Sequence, residues 1–109
     1  MIFNGRQDKF GNILPSRIGD ITFSDNEGFS MDDAILISGA KASYDGVGAE
    51  YKYIEQRFGA KNVDWTLKIQ VLHEKDGKAF DQLQIISLKD QREFSIFFDI
   101  TGFFGNDII

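Results

Sequence analysis

From Trp65 to Thr101 apolar and polar residues take turns along the chain, and this alternation constrains the fold more than any other feature. Trp65, Leu67, Ile69 and Val71 alternate with Thr66, Lys68 and Gln70, the period-two pattern of a strand with one buried face. Asp76-Gly77 then marks a hairpin, because both residue types tolerate the positive φ that tight hairpin turns require. After a turn around Lys89-Asp90-Gln91, the segment from Glu93 to Thr101 places Phe94, Ile96, Phe98 and Ile100 on one face and Ser95, Phe97 and Asp99 on the other. The result is a three-stranded meander. A two-residue loop would set Ile69 opposite Gln84 and Val71 opposite Gln82. A three-residue loop sets Ile69 opposite Ile85, Val71 opposite Leu83 and His73 opposite Asp81. The second register sorts polar from apolar better and is the expected one, since a slip of one residue turns every side chain over. It leaves Leu72, Phe80, Ile86, Leu88 and Phe97 as apolar residues on an otherwise polar face, which predicts that the N-terminal segment covers that face.

One helix precedes the meander. Val47, Tyr51, Ile54 and Phe58 recur at steps of four, three and four, which predicts a helix over 46–58 with those residues inward and Lys52, Glu55 and Gln56 outward. Asp45 is the expected N-cap, and Gly59 the left-handed residue that ends it. Further upstream, Ile18 to Phe23 and Ala34 to Ile37 read as short strands around a turn at Asp25-Asn26-Glu27-Gly28, while Pro15 argues against a central strand beside it. The expected fold is α+β: an antiparallel sheet, made of N-terminal short strands and the C-terminal three-stranded meander, packed against one main helix. With 109 residues and 42% apolar composition, residues 1–109 make one domain with a core of its own.

Composition excludes several kinds of chemistry. There is no cysteine, hence no disulfide, thiolate metal site or thiol nucleophile. A single histidine precludes a metal site of several imidazoles, so no metal or cofactor is expected. His73 opposite Asp81 would make an oriented imidazole, but no nucleophile or second acid accompanies it, and the pair reads as a polar hairpin end. Gly46-Val47-Gly48-Ala49 lacks the third glycine and the βαβ setting of a dinucleotide fingerprint; its glycines read as loosening the helix entry. Asp25-Asn26-Glu27-Gly28 fails as a calcium loop, because with Gly28 at the sixth position the end positions are Phe23 and Ala34. A non-enzyme is expected. No apolar run reaches membrane-spanning length or has the form of a secretory signal, so the expected location is the cytoplasm.

The charge is unevenly placed. The net charge is −5, and the segment 18–40 accounts for all of it: Asp20, Asp25, Glu27, Asp32 and Asp33 share that stretch with no lysine or arginine. A nucleic-acid or anionic-membrane binder needs the opposite sign. An uncompensated acidic stretch instead steers a basic protein partner. Phe23, Phe29 and Tyr44 flank it as candidate aromatic anchors.

In size, lack of cysteine, acidic balance and the texture of about 40 C-terminal residues, from Asp64-Trp65 through Gly77-Lys78 and Asp81 to Phe97-Phe98-Asp99-Ile100-Thr101-Gly102-Phe103-Phe104-Gly105, the chain resembles the small immunity proteins of bacterial toxin systems, including those of contact-dependent growth inhibition. The resemblance implies a non-catalytic, protein-binding inhibitor that neutralises a cognate toxin, for instance a nuclease whose basic substrate site needs blocking. It carries no chemistry-bearing motif and transfers no family binding residues. The alternative is a small-ligand-binding or scaffold domain, homodimeric through the apolar side of its sheet.

Overall fold

The computed structural model describes residues 6–104 apart from residue 42, without the side chains of Ser43 and Tyr44. In chain order the elements are β1 (Arg17–Ile18), β2 (Ile21–Phe23), a 3-10 turn (Met31–Asp33), β3 (Ile35–Ser38), α1 (Ser43–Phe58), β4 (Trp65–Lys75), β5 (Lys78–Ser87) and β6 (Glu93–Asp99). They form the expected α+β architecture, a six-stranded sheet in the order β1-β2-β3-β6-β5-β4 beside one main helix. Every joint is antiparallel except that between β3 and β6, which run parallel with Ile35 beside Phe98. The stretch read as one strand from Ile18 to Phe23 is instead a small hairpin, with Ile18 paired to Ile21 across Gly19-Asp20.

The meander corrects the expected register. β4 and β5 are joined by a two-residue turn, Asp76 at φ 53° and Gly77 at φ 79°, and Lys75 pairs with Lys78. Two consecutive positive φ values match the twist of the flanking strands, and this turn preference outweighs the polar sorting that favoured a longer loop. Ile69 therefore faces Gln84, Val71 faces Gln82, and His73 faces Phe80 rather than Asp81. The sorting conflict is resolved by an irregularity between Leu67 and Ile69, where Lys68 is the extra residue. A bulge reverses the parity of the residues beyond it. Trp65 and Leu67 point to the helix before it, and Gln70, Leu72 and Glu74 do so after it.

Between helix and sheet lie Ile35, Ile37, Tyr53, Ile54, Trp65, Leu83, Ile85, Ile96 and Phe98, all buried, each large side chain contributing roughly 1.5–3 kcal/mol relative to exposure. Gly28 fits into this layer because a Cβ there would lie 2.7 Å from Ile35 Cδ1. Its carbonyl accepts the Phe97 amide at 2.7 Å, stitching the β2–β3 loop to β6.

The helix begins three residues earlier than expected, so Asp45 lies in its first turn, where a carboxylate complements the helix dipole, rather than at the cap. Gly59, at φ 111°, ends it as expected. Lys52, Glu55 and Gln56 face solvent. The buried stripe is rotated from the anticipated one: Gly46, Ala49, Glu50, Tyr53, Ile54 and Arg57 are buried, while Val47, Tyr51 and Phe58 are half-exposed. The two ionisable residues lie inward because each finds a carboxyl partner there, Asp81 for Glu50 and Asp8 for Arg57. Gly46 has a packing role rather than a loosening one, since a Cβ would overlap the Phe103 ring.

The second sheet face is not covered by the N-terminal segment. From Arg6 to Leu14 that segment lies on the helix side, held by Asp8 to Arg57. The outer face is instead polar along its middle. His73 Nε2 and Gln82 Oε1 are 2.8 Å apart, Gln82 Nε2 donates to Ser95 Oγ at 2.9 Å, and Gln84 and Lys68 both donate to Glu93. These side chains satisfy one another and meet water, so the face needs no further layer. Phe97, Phe80 and Ile86 lie among them. Leu72 faces the helix side after the bulge but remains uncovered. No helix among the described residues is long and apolar enough to cross a membrane.

Candidate functional site

The acidic stretch falls into two places. Asp20 occupies the β1–β2 turn at one end of β2. Asp25, Glu27, Asp32 and Asp33 lie in the loop between β2 and β3 at the other end. That loop is built by its own carboxylates. Asp33 accepts Asn26 Nδ2 at 2.9 Å and the Glu27 amide at 3.1 Å, while Ser30 caps the 3-10 turn through the Asp33 amide. Leu36 donates its amide to Ser24 Oγ where the loop closes. Folding leaves most of this charge in place. Asp25 faces Arg6 at 3.6 Å across exposed side chains, a pair worth little in water, and Glu27 accepts the Lys9 amide at 2.8 Å. Asp20 and Asp32 remain exposed.

The three aromatic candidates separate. Phe23 is buried, packed on Tyr53 at a ring distance of 4.8 Å, and belongs to the core; it is no anchor. The Tyr44 side chain lies outside the described residues. Phe29 is half-exposed and belongs to a ring cluster with Phe10 and Phe94, extended by Phe58, which stacks on Phe94 at 5.7 Å.

That cluster surrounds a feature that the apolar periodicity of the sequence does not announce. Arg57 and Asp8 form an ion pair with both side chains fully buried, Nη2 and Oδ2 lying 2.9 Å apart. Nε donates to the same oxygen and Nη1 donates to the Glu27 carbonyl. Asp8 Oδ1 accepts the Phe10 and Asn12 amides, so the carboxylate is saturated, as a buried charge must be. The guanidinium lies 5.0 Å from both the Phe29 and Phe58 ring centres. This one group holds together the N-terminal segment, the acidic loop and the end of α1.

A second buried constellation sits under the middle of the helix. Glu50 is fully buried and neither carboxylate oxygen has a hydrogen-bond donor. As a carboxylate it would be an uncompensated charge; as a carboxylic acid it has an acceptor in Asp81. Burial first, and then the hydrogen bond and charge of Asp81, push its pKa up to about 10, so it holds its proton at neutral pH. Asp81 in turn accepts Gln70 Nε2 at 2.8 Å, and Gln70 accepts the Tyr51 hydroxyl at 2.9 Å. A signal for both charged sites was present: Glu50 and Arg57 stand seven residues apart, two turns on one helix face.

Beside the cluster, a cleft of about 240 Å³ opens between the N-terminal segment, the end of α1 and the β5–β6 turn. Phe10, Phe58, Phe94 and Trp65 line it, with Asp64, Asp90 and Arg92 among its polar residues. Arg92 stands over Phe10 and Phe94 and pairs with Asp90. The Arg92 amide and the Ser87 hydroxyl hold the Asp90 carboxyl below its ordinary range. Among the described residues no three histidine, aspartate or glutamate side chains gather as metal ligands. His73, bonded to Gln82 and tilted over Phe97 at 6.0 Å, is not brought to Asp81. Comparison of the chain with family models, with curated proteins and with solved structures finds no match.

Proposed function

We propose that this chain is a non-catalytic, protein-binding inhibitor of the immunity type, which associates with a basic partner through the β2–β3 loop and its surroundings. The observation that carries the reading is the construction of that loop. Four of the five acidic residues of 18–40 sit on a segment pinned by Asp33, by Gly28 to β6 and by the Arg57 guanidinium to the helix. A surface fixed before encounter loses little ordering entropy on binding. Asp25, whose exposed pair with Arg6 offsets little, and Asp32 carry the accessible charge of the loop, Asp20 adds to the field from the far end of β2, and Phe29 is the accessible anchor. The partner is a toxin-like protein, as the sequence resemblance implies. The test is co-expression with the product of the adjacent gene, followed by association kinetics at low and high salt. D20N/D32N slows association severalfold at low salt, with dissociation nearly unchanged and the difference fading as salt screens it. Unchanged association kinetics at low salt, or no complex with that product, would overturn the reading.

The aromatic cleft favours a second reading, a small-ligand-binding domain. A planar ligand seated between Phe10, Phe58 and Trp65 would raise the melting temperature, and F58A would abolish the shift.

A further inference from the structure

The fold leaves its longest strand bare. Among the described residues β4 closes one margin of the sheet and the two-residue β1 closes the other. Strands at a margin are normally kept short, bulged, charged or interrupted by proline, because their unpaired N–H and C=O groups template another strand, and β4 carries charge only towards its ends, at Lys68, Glu74 and Lys75. In β4 the irregularity at Lys68 guards only the beginning. From Ile69 to Lys75 the pairing with β5 is regular and the sequence contains neither proline nor glycine, a run of roughly 24 Å. Ile69 is 49% exposed on the outer face and Leu72 47% exposed on the opposite one, with Val71 half-buried between them.

We propose that β4 is a homodimerisation edge, where the β4 strand of a second copy adds antiparallel about a two-fold axis through Val71 and joins two six-stranded sheets into one. Self-pairing follows from the sequence of this strand. About that axis Val71 meets its own equivalent, Gln70 meets Leu72 and Ile69 meets His73. Residues 69, 71 and 73 share the outer face and 70 and 72 the inner, so each side chain meets one on its own face, as antiparallel pairing demands. No like charges stand opposite one another, and at each end Lys68 of one copy meets Glu74 of the other. An axis at Leu72 would set Ile69 against Lys75 and Gln70 against Glu74. An axis at Gln70 would bring the bulged Lys68 against Leu72. The Val71 axis avoids both, and it shelters the three apolar residues that β4 leaves in water.

Because the chain has no cysteine, V71C gives a clean readout. The expected result is twice the chain mass by light scattering for the wild type, with rapid oxidation of V71C to an interchain disulfide. L36C, exposed on the outer face but away from this edge, cross-links only at the slow collisional rate. I69K/L72K runs as a monomer with its thermal transition retained. A wild type that stays monomeric up to about millimolar concentration, or equal cross-linking of V71C and L36C, overturns the proposal. So does a monomer that takes up only an extended peptide of another protein at this edge. If I69K/L72K fails to fold, the V71C and L36C comparison decides alone.

Discussion

Replacing Glu50 with glutamine removes the ionisation while preserving shape, and it supplies an amide that donates to Asp81. In the unfolded chain the Glu50 carboxyl titrates at its ordinary value of 4.5, and in the folded protein at about 10. Between those values the native state holds a proton that the unfolded state has released, so stability falls as pH rises. The group's contribution is fully present below pH 4.5 and lost progressively up to the folded value. Each pH unit in this window costs about 1.4 kcal/mol. From pH 5 to pH 8 the loss is on the order of 4 kcal/mol, a large share of the 5–15 kcal/mol typical of a folded domain. At about 4 °C per kcal/mol for a chain of this size, the wild type loses about 15 °C of melting temperature over that range through this residue alone. E50Q melts near the wild type at pH 5 and well above it at pH 8. Taking the difference between the two proteins at each pH cancels the remaining carboxylates. Parallel melting curves from pH 5 to 9, with a constant offset, would show that Glu50 is not a buried acid and refute the reasoning.

Two further substitutions probe the packing. D8A leaves the Arg57 guanidinium buried and unpaired, and should cost about 3–5 kcal/mol in urea denaturation, with amide exchange accelerating first between residues 6 and 14. G46A and G48A form an internal control within one helix. The first forces a methyl into the Phe103 ring and should cost about 1–3 kcal/mol. The second adds a methyl where nothing lies within 4 Å and should stabilise the helix by about 0.5–1 kcal/mol. If the two shift the thermal transition in the same direction, the placement of Phe103 is wrong.

The strands and the helix were legible because each signals its period locally: Phe94, Ile96, Phe98 and Ile100 share one face as their spacing dictates, and Gly59 ends α1. The features that stayed hidden depend on residues far apart in the chain. The register of β4 on β5 is set by the two-residue Asp76-Gly77 turn, and the parity conflict it creates is absorbed by one extra residue at Lys68, which alternation alone does not reveal because Leu67 and Ile69 are both apolar. The inward face of α1 was misplaced because periodicity counts apolar residues, whereas Glu50 and Arg57 are buried through Asp81 and Asp8, which lie 31 and 49 positions away in the numbering of the chain. The acidic stretch was visible as composition. Its division into loop-building Asp33, Asp25 loosely paired with Arg6, Glu27 on the Lys9 amide, and exposed Asp20 and Asp32 required the fold.

The parallel seam between β3 and β6 also dictates an order of events during synthesis. β3 leaves the ribosome long before its neighbour exists, and the small hairpin beside it offers a pairing surface on one side only. The meander, by contrast, is a continuous stretch whose strands meet as they are made. Completion of the sheet thus waits on β6, the last of the described strands, and until β6 is made β3 has an open edge on the side that β6 later fills.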